Sequence, residues 1–366
     1  MGALHGLAGE SVTAGIVEEE EGSGRRLLSE GEILYSDCVE WDVGRMIVKT
    51  GDDLRQEQLA MQLICLLKRI VEDASLTLWF LPYRIITVAK NAGLIEPVPA
   101  VMSLHELKQK SGLSTVRQYF ESRWGDAASP SFIAAQRRFA ESMAAYSLAT
   151  YFLQVKDRHN GNILLDHRGR VIHIDFGFML GTAPGQGIVA FEDAPFKLTQ
   201  ELVDVLLDEE NVGKLPAGFA SAGGGARVDD VALSLAGGDD DVRVKWENGV
   251  PVRVETGVSA GGAAAEAVGD PAFSYFQELL LQGFIATRAK FPRLMLHVQI
   301  AMDGPPLPFN TATKHAKIMD DFRQRFALSL TEEQLEAHVR ELIRQSLSSW
   351  RSSAYDSFQR LSNGIL

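Results

Sequence analysis

Three polar residues in the middle of the chain have the types and the spacing that phosphoryl transfer requires. Asp157 is followed five positions later by Asn162, and Asp175 opens an Asp-Phe-Gly sequence after a short predicted hairpin. In phosphoryl transfer the protein mainly positions a hydroxyl nucleophile and neutralises the charge of the moving phosphate. Kinases use an aspartate, an asparagine at this interval and an Asp-Phe-Gly for these tasks. The pattern therefore predicts a phosphotransferase.

The general base of such a reaction has two candidates. Asp157 could accept the proton of the attacking hydroxyl, as the corresponding aspartate does in kinases. His159 follows this aspartate, and a neutral imidazole near the substrate could share or take over the role. The spacing does not choose between them. Lys156, which precedes Asp157, is a further candidate catalytic residue.

Asn162 and Asp175 are the candidate metal ligands. Both carry hard oxygen atoms, and Mg²⁺ bound to nucleotide phosphates typically takes only one or two protein ligands. Asp175 also ends an alternating apolar run, which predicts a strand that delivers its carboxylate to a cleft. The sequence thus predicts a site for Mg²⁺, or alternatively Mn²⁺, that acts together with ATP.

A kinase needs a lysine on an earlier strand to hold the α- and β-phosphates, and Lys49 at the end of an apolar run is the candidate. Three nearby carboxylates could orient it, Asp52, Asp53 and Glu57, and the sequence does not choose among them. Asp53 as N-cap with Gln56 three positions later predicts a capping box and a helix. Apolar residues continue at helical spacing, namely Leu59, Leu63, Leu66, Leu67 and Ile70.

Five segments resemble, in order along the chain, the catalytic domain of the phosphatidylinositol 3- and 4-kinases. They are Gly51–Glu57, Ile95–Val98, Lys156–Asp166, Ile172–Phe178 and Phe196–Thr199. Ser103–Lys108, Tyr119–Phe120 and the C-terminal residues from Thr331 resemble the beta branch of the type III 4-kinases in particular. The resemblance runs from about Ile47 to the C terminus apart from one insertion.

The resemblance implies an α+β, two-lobed protein-kinase-like fold with ATP between the lobes. A small β-rich N-lobe would occupy residues 1–98, and a larger, mainly helical C-lobe residues 99–366. Lys49 would contact the phosphates. The segment from Glu96 to Val98 would be the hinge whose backbone binds adenine. Tyr83 and Ile95 would lie deeper in the pocket. Leu164 and Ile174 would form its floor.

The N-lobe departs from the family pattern. Residues 82–86 and 93–96 predict two strands around a polar turn, but fewer than fifty residues precede Lys49. A kinase first lobe needs further strands and a phosphate-covering loop ahead of the lysine. Residues 10–17, which include Ser11, are weakly similar to the serine-containing loop of the family and offer backbone donors. We therefore expect an incomplete N-lobe, from a fragment or a shortened gene product.

Residues 208–270 form the insertion relative to the family. They are rich in Gly, Ala, Asp and Val, and they lack the apolar periodicity that would offset the entropy of ordering. We expect a disordered segment that carries no chemistry.

Substrate choice depends on the segment between Asp175 and Lys197, which the family uses to hold a lipid head group. From Phe176 to Phe196 its charged residues are Glu192 and Asp193. Head groups that already carry phosphates need Arg or Lys beside them. The segment therefore predicts unphosphorylated phosphatidylinositol as the substrate. Transfer to the 4-hydroxyl, which gives phosphatidylinositol 4-phosphate, follows from the resemblance alone.

Thr331 and Gln334 predict a capping box at the start of an amphipathic C-terminal helix. Its apolar stripe consists of Leu335, Val339, Leu342, Ile343, Leu347 and Trp350. Packing on the C-lobe is the favoured interpretation for most of this helix, over contact with a membrane surface. The last turns, near Trp350 and Tyr355, are the better candidates for lipid contact.

The composition indicates a folded cytoplasmic domain. The chain has 366 residues, 46% hydrophobic and 23% charged, with neither a run of transmembrane length nor a signal peptide. Cys38 and Cys65 indicate reduced thiols rather than a disulfide framework. A formal net charge of −12 argues against nucleic-acid binding and broad attraction to anionic membranes. Contact with phosphatidylinositol in membranes is then local. The resemblance implies a peripheral location on endomembranes, at the Golgi, and recruiting proteins.

Two other functions compete with that of a lipid kinase. A related protein Ser/Thr kinase would share the Asp-x-His-x-x-Asn order, but its flanking helical domains are not found in this sequence. A non-enzymatic scaffold with an incomplete first lobe is the second alternative. Lys49, Asp157, Asn162 and Asp175 argue against the scaffold, because a chain without catalysis has no chemical need for all four.

Overall fold

The computed structural model describes residues 44–182, 194–216, 218–219, 242–247, 250–255, 270–307 and 315–351. From Met46 onward these residues belong to one compact unit. Some residues singled out above lie outside this part of the chain, namely Ser11, Cys38, Glu192, Asp193 and Tyr355.

The lysine strand belongs to a three-stranded antiparallel sheet with the order β1-β3-β2. Its strands are β1 (Ile47–Thr50), β2 (Ile85–Ala89) and β3 (Ala92–Ile95). The β2–β3 hairpin confirms the predicted pair of strands around a polar turn, although β2 lies three residues later than expected. Gly93 is needed in the middle strand, because a Cβ there would lie 2.7 Å from the Ile86 carbonyl oxygen and from a Leu54 methyl group.

Helix α1 (Arg55–Asp73) follows the lysine strand, as the apolar spacing predicted. The apolar residues named for it are all buried: Leu59, Leu63, Leu66, Leu67 and Ile70. The predicted capping box is wrong, since the helix begins after Leu54 without a side-chain cap. Asp53 instead accepts hydrogen bonds from the backbone and the guanidinium of Arg55. The Gln56 side chain is buried, and its amide nitrogen donates to backbone carbonyl oxygens of the Asp-Phe-Gly sequence.

A second three-stranded antiparallel sheet, with the order β4-β5-β6, carries the catalytic sequence. Its strands are β4 (Val101–Ser103), β5 (Ile163–Asp166) and β6 (Val171–His173). Asp166 Oδ1 closes the β5–β6 turn by accepting the backbone amides of Arg168 and Arg170 at 2.8 and 2.7 Å. This confirms the predicted short hairpin. Asn162 directly precedes β5 and Asp175 follows β6, so the hairpin delivers both residues to the same end of the sheet.

The other described residues are mainly helical. The helices are α2 (Leu104–Ser111), α3 (Val116–Trp124), α4 (Pro130–Phe152), α5 (Gln200–Val203), α6 (Pro271–Ala289), α7 (Phe291–Asp303), α8 (His315–Gln324) and α9 (Glu332–Arg351). Side-chain hydroxyls cap α2, α3 and α4 by accepting a backbone amide three residues on. The two three-stranded antiparallel sheets and the mainly helical remainder confirm the α+β, two-lobed fold.

Helices α4 and α6 pack closely in the centre of the molecule. Gly283 of α6 makes this approach possible, because a Cβ at that position would lie 2.3 Å from Leu148 Cδ1 of α4 and 2.5 Å from Leu78 Cδ1. Aromatic side chains extend the same core, and Phe152 stacks on Phe326 with ring centroids 4.8 Å apart. The helices that support the catalytic sequence therefore share one continuous core.

Helix α9 packs its apolar stripe against the C-lobe, which confirms the favoured interpretation. The stripe residues Leu335, Val339, Leu342, Ile343 and Leu347 are at most 7% exposed. The capping box is also confirmed, since Thr331 and Gln334 exchange backbone-to-side-chain hydrogen bonds of 3.0 and 3.3 Å. Ser346 of the same helix accepts a hydrogen bond from the Phe196 amide at 3.4 Å. The side chain of Trp350 lies outside the described part of the structure.

The segment expected to be a disordered insertion contains several described parts. A short 3₁₀ turn spans Glu209–Asn211, and β7 (Val242–Glu247) and β8 (Val250–Glu255) form an antiparallel hairpin. Asp270 Oδ1 accepts hydrogen bonds from the Asp208 amide at 2.7 Å and from Asn211 Nδ2 at 2.9 Å. The two ends of the insertion therefore meet at one buried carboxylate.

Candidate active site

The catalytic loop between α4 and β5 is held by its own side chains. Residues Asn160–Asn162 form a 3₁₀ turn, and Asn162 Nδ2 donates to the Asp157 carbonyl oxygen at 3.0 Å. His159 Nε2 lies 4.0 Å from Asp157 Oδ2. The structure therefore brings together the two candidate bases and one candidate metal ligand.

The ring of His159 has a defined orientation. Its Nδ1 accepts a hydrogen bond from the Gly161 amide at 3.1 Å. Burial lowers the pKa of His159 below its ordinary value, and the charges of Arg158 and Lys197 add to this effect while Asp157 opposes it. A neutral ring that accepts at Nδ1 carries its proton on Nε2, the nitrogen nearer to Asp157.

Asp175 lies beside this loop. The β5–β6 hairpin continues beyond its last strand residue, since the Ile174 amide donates to the Asn162 carbonyl oxygen at 3.1 Å. The Asp175 residue is exposed, and its Oδ1 accepts a hydrogen bond from the Gly177 amide at 3.2 Å. The carboxylate is thus oriented by the Asp-Phe-Gly turn and open to a ligand.

Arg158 ties the catalytic loop to the Asp-Phe-Gly sequence. It is only 1% exposed. Its guanidinium donates to the carbonyl oxygens of Lys156 at 3.0 Å, of Ile174 at 2.8 Å and of Asp175. No role for Arg158 was predicted, because nothing in the spacing shows that an arginine between two catalytic candidates is buried. Its position inside the run was the one available signal.

Lys49 faces carboxylates from three parts of the chain. Its Nζ lies 3.2 Å from Asp52 Oδ2. Burial lowers the pKa of Lys49, but the charge of Asp175, the hydrogen bond to Asp52 and the charge of Glu57 outweigh it and raise the pKa above its ordinary value. The lysine is therefore firmly protonated. Of the three candidate partners, Asp52 makes the ion pair, Glu57 acts from further away and Asp53 is bound to Arg55.

Glu57 and Tyr83 form a buried pair behind the lysine. Tyr83 donates its hydroxyl to Glu57 Oε1 at 2.6 Å, and both residues are buried. Burial raises the pKa of Glu57, although the Tyr83 hydrogen bond and the Lys49 charge oppose this. Tyr83 thus links α1 to the residues just before β2.

Three of the residues assigned to the adenine pocket meet in one apolar cluster. Val98, Leu164 and Ile174 pack with the buried residues Tyr146 and Ile172. Ile95 packs against the main core instead. Glu96 lies at the surface, where its carboxylate binds the Arg84 side chain at 3.2 Å, and its amide donates to the Arg84 carbonyl oxygen at 2.9 Å.

Two lysines complete the surroundings of the loop. The Lys156 amide donates to the Phe178 carbonyl oxygen at 2.9 Å, which fixes the start of the loop. Lys197 is 4% exposed, and its Nζ donates to Asn160 Oδ1 at 3.1 Å. The sequence assigned no role to Lys197, because a single lysine is most often a solvated charge.

Asn162 and Asp175 fit a magnesium site with two protein ligands. The amide nitrogen of Asn162 donates to the Asp157 carbonyl oxygen, which leaves Oδ1 as the atom that could bind a metal ion, and the Asp175 residue is exposed. Among the described residues, no group of three or more His, Cys, Asp or Glu side chains is placed to hold a metal ion. A sparse site suits Mg²⁺, which keeps several waters and takes further ligands from nucleotide phosphates.

Comparison with known families decides which kinases this site belongs with. Residues 45–219 match the family described as phosphatidylinositol 3- and 4-kinase. The chain belongs to this family. The matched residues contain Lys49, the catalytic loop and the Asp-Phe-Gly sequence. Membership of a kinase family implies the use of ATP and a divalent metal ion.

Curated relatives extend the similarity over most of the chain. Phosphatidylinositol 4-kinase beta 2 of Arabidopsis thaliana is 38% identical over 343 residues, which are 93% of this chain and 25% of the relative. A phosphatidylinositol 4-kinase of Dictyostelium discoideum is 35% identical over 332 residues, 90% of this chain and 23% of the relative. Phosphatidylinositol 4-kinase beta of Callithrix jacchus is 35% identical over 91% of this chain and 33% of the relative. The chain thus spans about a quarter to a third of the length of these relatives.

Proposed function

We propose that this chain is a 1-phosphatidylinositol 4-kinase, which transfers the γ-phosphate of ATP to the 4-hydroxyl of phosphatidylinositol. The observation that carries the proposal is the convergence of three separate segments on one site. The helix that follows the Lys49 strand contacts the Asp-Phe-Gly backbone through Gln56, and the charge of Asp175 helps to raise the pKa of Lys49. Arg158 joins Asp175 to the loop that holds Asp157 and Asn162. The names of the relatives favour the 4-kinases over the 3-kinases.

The nucleotide would lie in a cleft between the two lobes, which we divide near Val98. Lys49 would hold the α- and β-phosphates, with Asp52 and Glu57 keeping its amine charged and directed. The apolar cluster of Val98, Leu164 and Ile174 would receive the adenine ring, and the backbone from Glu96 to Val98 would supply the polar contacts of a hinge. Ser11 remains a proposed contributor to the phosphate-covering loop.

Asn162 and Asp175 would hold the metal ion, Mg²⁺ in the first place and Mn²⁺ as a second candidate. The bound ion supplies charge neutralisation at the β- and γ-phosphates. The protein fixes the ligand atoms: Asp157 engages the amide nitrogen of Asn162, and Gly177 orients the carboxylate of Asp175. Both ligand atoms are therefore directed before the nucleotide arrives, which lowers the cost of assembling the site.

We infer that Asp157 is the general base. A base must have a lone pair facing the substrate hydroxyl. His159 uses the lone pair of Nδ1 on the Gly161 amide, so its Nε2 carries the proton and is a donor. Asp157 has a carboxylate 4.0 Å from that nitrogen. His159 would then direct the carboxylate of Asp157 before proton transfer, and Lys156 would contribute as a positive charge near the loop.

The lipid substrate that we propose is unphosphorylated phosphatidylinositol. The argument is the composition of the segment between Asp175 and Lys197, whose charged residues are acidic. Lys197 itself is buried against Asn160 rather than directed to a polyphosphorylated ring. We further propose peripheral attachment to endomembranes of the Golgi type with the help of recruiting proteins. Among the described residues, no helix combines the length and apolarity needed to cross a bilayer.

A radiolabel assay with phosphatidylinositol vesicles tests the proposal. Purified chain with [γ-³²P]ATP and Mg²⁺ should label phosphatidylinositol, and chromatography of the deacylated product should give the 4-phosphate isomer. Asp175→Ala should abolish the label. Preference for the bisphosphate lipid would refute the head-group argument. Labelling of peptides without lipid would instead support a protein kinase, and an absence of any Mg²⁺-ATP thermal shift would support a scaffold.

A further inference from the structure

Four consecutive carbonyl oxygens around Asp175 are bound by only two side chains. Arg158 takes those of Ile174 and Asp175. Gln56 takes the next two, since its Nε2 donates to the Phe176 carbonyl oxygen at 3.2 Å and to that of Gly177 at 2.7 Å. The carbonyl groups on both sides of the acid are therefore bound by side chains, while the pairing of the hairpin ends at the Ile174 amide.

The Gln56 contact connects distant parts of the chain. Gln56 lies in the first turn of α1, directly after the lysine strand, and is separated from its partners by 120 and 121 positions. The next residue, Glu57, lies within electrostatic reach of Lys49 and accepts the Tyr83 hydroxyl. One turn of α1 therefore contacts the surroundings of the phosphate-binding lysine and those of the metal-binding acid.

We propose that Gln56 is a positioning residue for the metal site, whose side-chain amide sets the Asp-Phe-Gly backbone so that the Asp175 carboxylate points at the metal ion. This rests on the proposed function, because it assumes that Asp175 binds Mg²⁺. Residues that orient metal ligands commonly affect metal affinity by 10- to 100-fold. Gln56 acts on the backbone and does not itself contact metal or nucleotide.

The surroundings of Gln56 favour this role over simple packing. The residue is 2% exposed, and its Oε1 has no hydrogen-bond partner among the described residues. A buried acceptor without a partner is unfavourable. An apolar residue of similar size would avoid that cost, so the side chain is explained by what its Nε2 does at Phe176 and Gly177.

Gln56→Met tests the inference, because methionine has a similar shape but no donor. Gln58→Met is the matched control, since Gln58 lies on the same helix and donates to the Ile85 carbonyl oxygen at 3.1 Å, away from the metal site. Binding of a non-hydrolysable ATP analogue is measured by calorimetry as a function of Mg²⁺ concentration. Gln56→Met should need roughly tenfold more Mg²⁺ for half-maximal binding, while Gln58→Met should match the wild type.

Two hydrogen-exchange measurements test the contact independently of nucleotide binding. In the metal-free chain, hydrogen exchange of the amides near Gly177 should be faster in Gln56→Met than in Gln58→Met. In the wild type, the ¹⁵N-labelled side-chain amide of Gln56 should exchange slowly with solvent, and fast exchange would overturn the contact whether or not the variant folds. Equal Mg²⁺ dependence in Gln56→Met and wild type overturns the role of Gln56. A wild type without Mg²⁺-dependent nucleotide binding overturns the proposed function instead.

Discussion

Asp157 and Asp175 share a left-handed backbone conformation, with φ values of 62° and 59°. Residues other than glycine rarely adopt this conformation, because their Cβ then approaches the backbone too closely. Residues held in this way cost about 1–3 kcal/mol each and cluster at functional sites. The base and the metal ligand that we propose are thus both strained, and the hydrogen bonds of Arg158 and Asn162 help to hold them so.

The first prediction concerns this strain. Asp175→Gly should lose lipid kinase activity as completely as Asp175→Ala, yet be about 1 kcal/mol more stable than the alanine variant, because glycine adopts positive φ without penalty. Chemical denaturation measures the difference. Asp126, exposed and not among the residues with positive φ, is the control position, where glycine should not exceed alanine. An alanine variant at Asp175 that is as stable as the glycine variant would argue against strain.

The second prediction separates the two candidate bases. Asp157→Asn should lower kcat by roughly 10²- to 10⁴-fold, the usual contribution of a general base, with little change in the KM for ATP. His159→Gln keeps a side-chain donor and should lose less activity. Steady-state kinetics on phosphatidylinositol vesicles measures both. A larger loss in His159→Gln than in Asp157→Asn would transfer the base role to His159.

The third prediction concerns the insertion. Asp270→Ala should lower the free energy of unfolding by about 1–3 kcal/mol, because the Asp208 amide and the Asn211 side chain lose a buried acceptor. Deletion of residues 221–240 should change stability by less than about 1 kcal/mol, since loop length affects closure entropy only weakly. Denaturation of the two variants compares them. A deletion as costly as Asp270→Ala would show that the removed residues contribute to the core.

The fourth prediction tests the contact between α4 and α6. Gly283→Ala should destabilise the chain by about 1–3 kcal/mol, because the new methyl group would overlap Leu148 and Leu78 in the packed core. Gly304→Ala is the control, where the nearest atom to an added Cβ, the Ala301 carbonyl oxygen, lies at an ordinary 3.5 Å. Thermal denaturation measures both. Equal melting temperatures would mean that the helices separate at little cost.

The fifth prediction is a pH dependence of stability that involves His338. Burial lowers its pKa below the ordinary value while Glu341 opposes this, and its Nε2 lies 3.4 Å from the Tyr151 hydroxyl. A lowered pKa in the folded state gives stability that is complete above the unfolded value of about 6.5 and is lost as the pH falls through the folded pKa.

Wild type should therefore lose stability relative to His338→Gln as the pH falls below about 6.5. Denaturation at several pH values measures this difference, with the exposed His167→Gln as control. If the difference stays constant with pH, the titration of His338 is not coupled to folding.

The hairpin and helix predictions succeeded where local sequence decides the structure. The polar turn between β2 and β3, the apolar face of α1 and the capping box at Thr331 depend on neighbouring residues, and all three are confirmed. The predicted capping box at Asp53 does not form, because other contacts of the same side chains outweigh it. Arg55 binds Asp53, and Gln56 finds two carbonyl oxygens more than a hundred positions away.

From the sequence, the only site residues that could be predicted were those whose side chains would take part in the reaction. Asp157, Asn162 and Asp175 stand at intervals that phosphoryl transfer explains, and the structure brings them together. Arg158 and Gln56 act on backbone atoms instead. Such roles depend on where carbonyl groups lie after folding, so no spacing rule indicates them. The carboxylate partner of Lys49 likewise could not be predicted from the sequence, because three acidic residues follow it closely along the chain.

Helix α9 has a consequence for how truncated forms of the chain are interpreted. Its apolar stripe is buried, and Ser346 accepts a hydrogen bond from the Phe196 amide, at the end of the segment that we propose holds the head group. Shortening the chain within this helix would open the hydrophobic interior and loosen the region that we propose receives the lipid. A shortened form that fails to phosphorylate vesicles would then have a damaged fold, and soluble short-chain lipid would not restore its activity. Short-chain lipid would restore the activity of a form that had lost only its membrane contact.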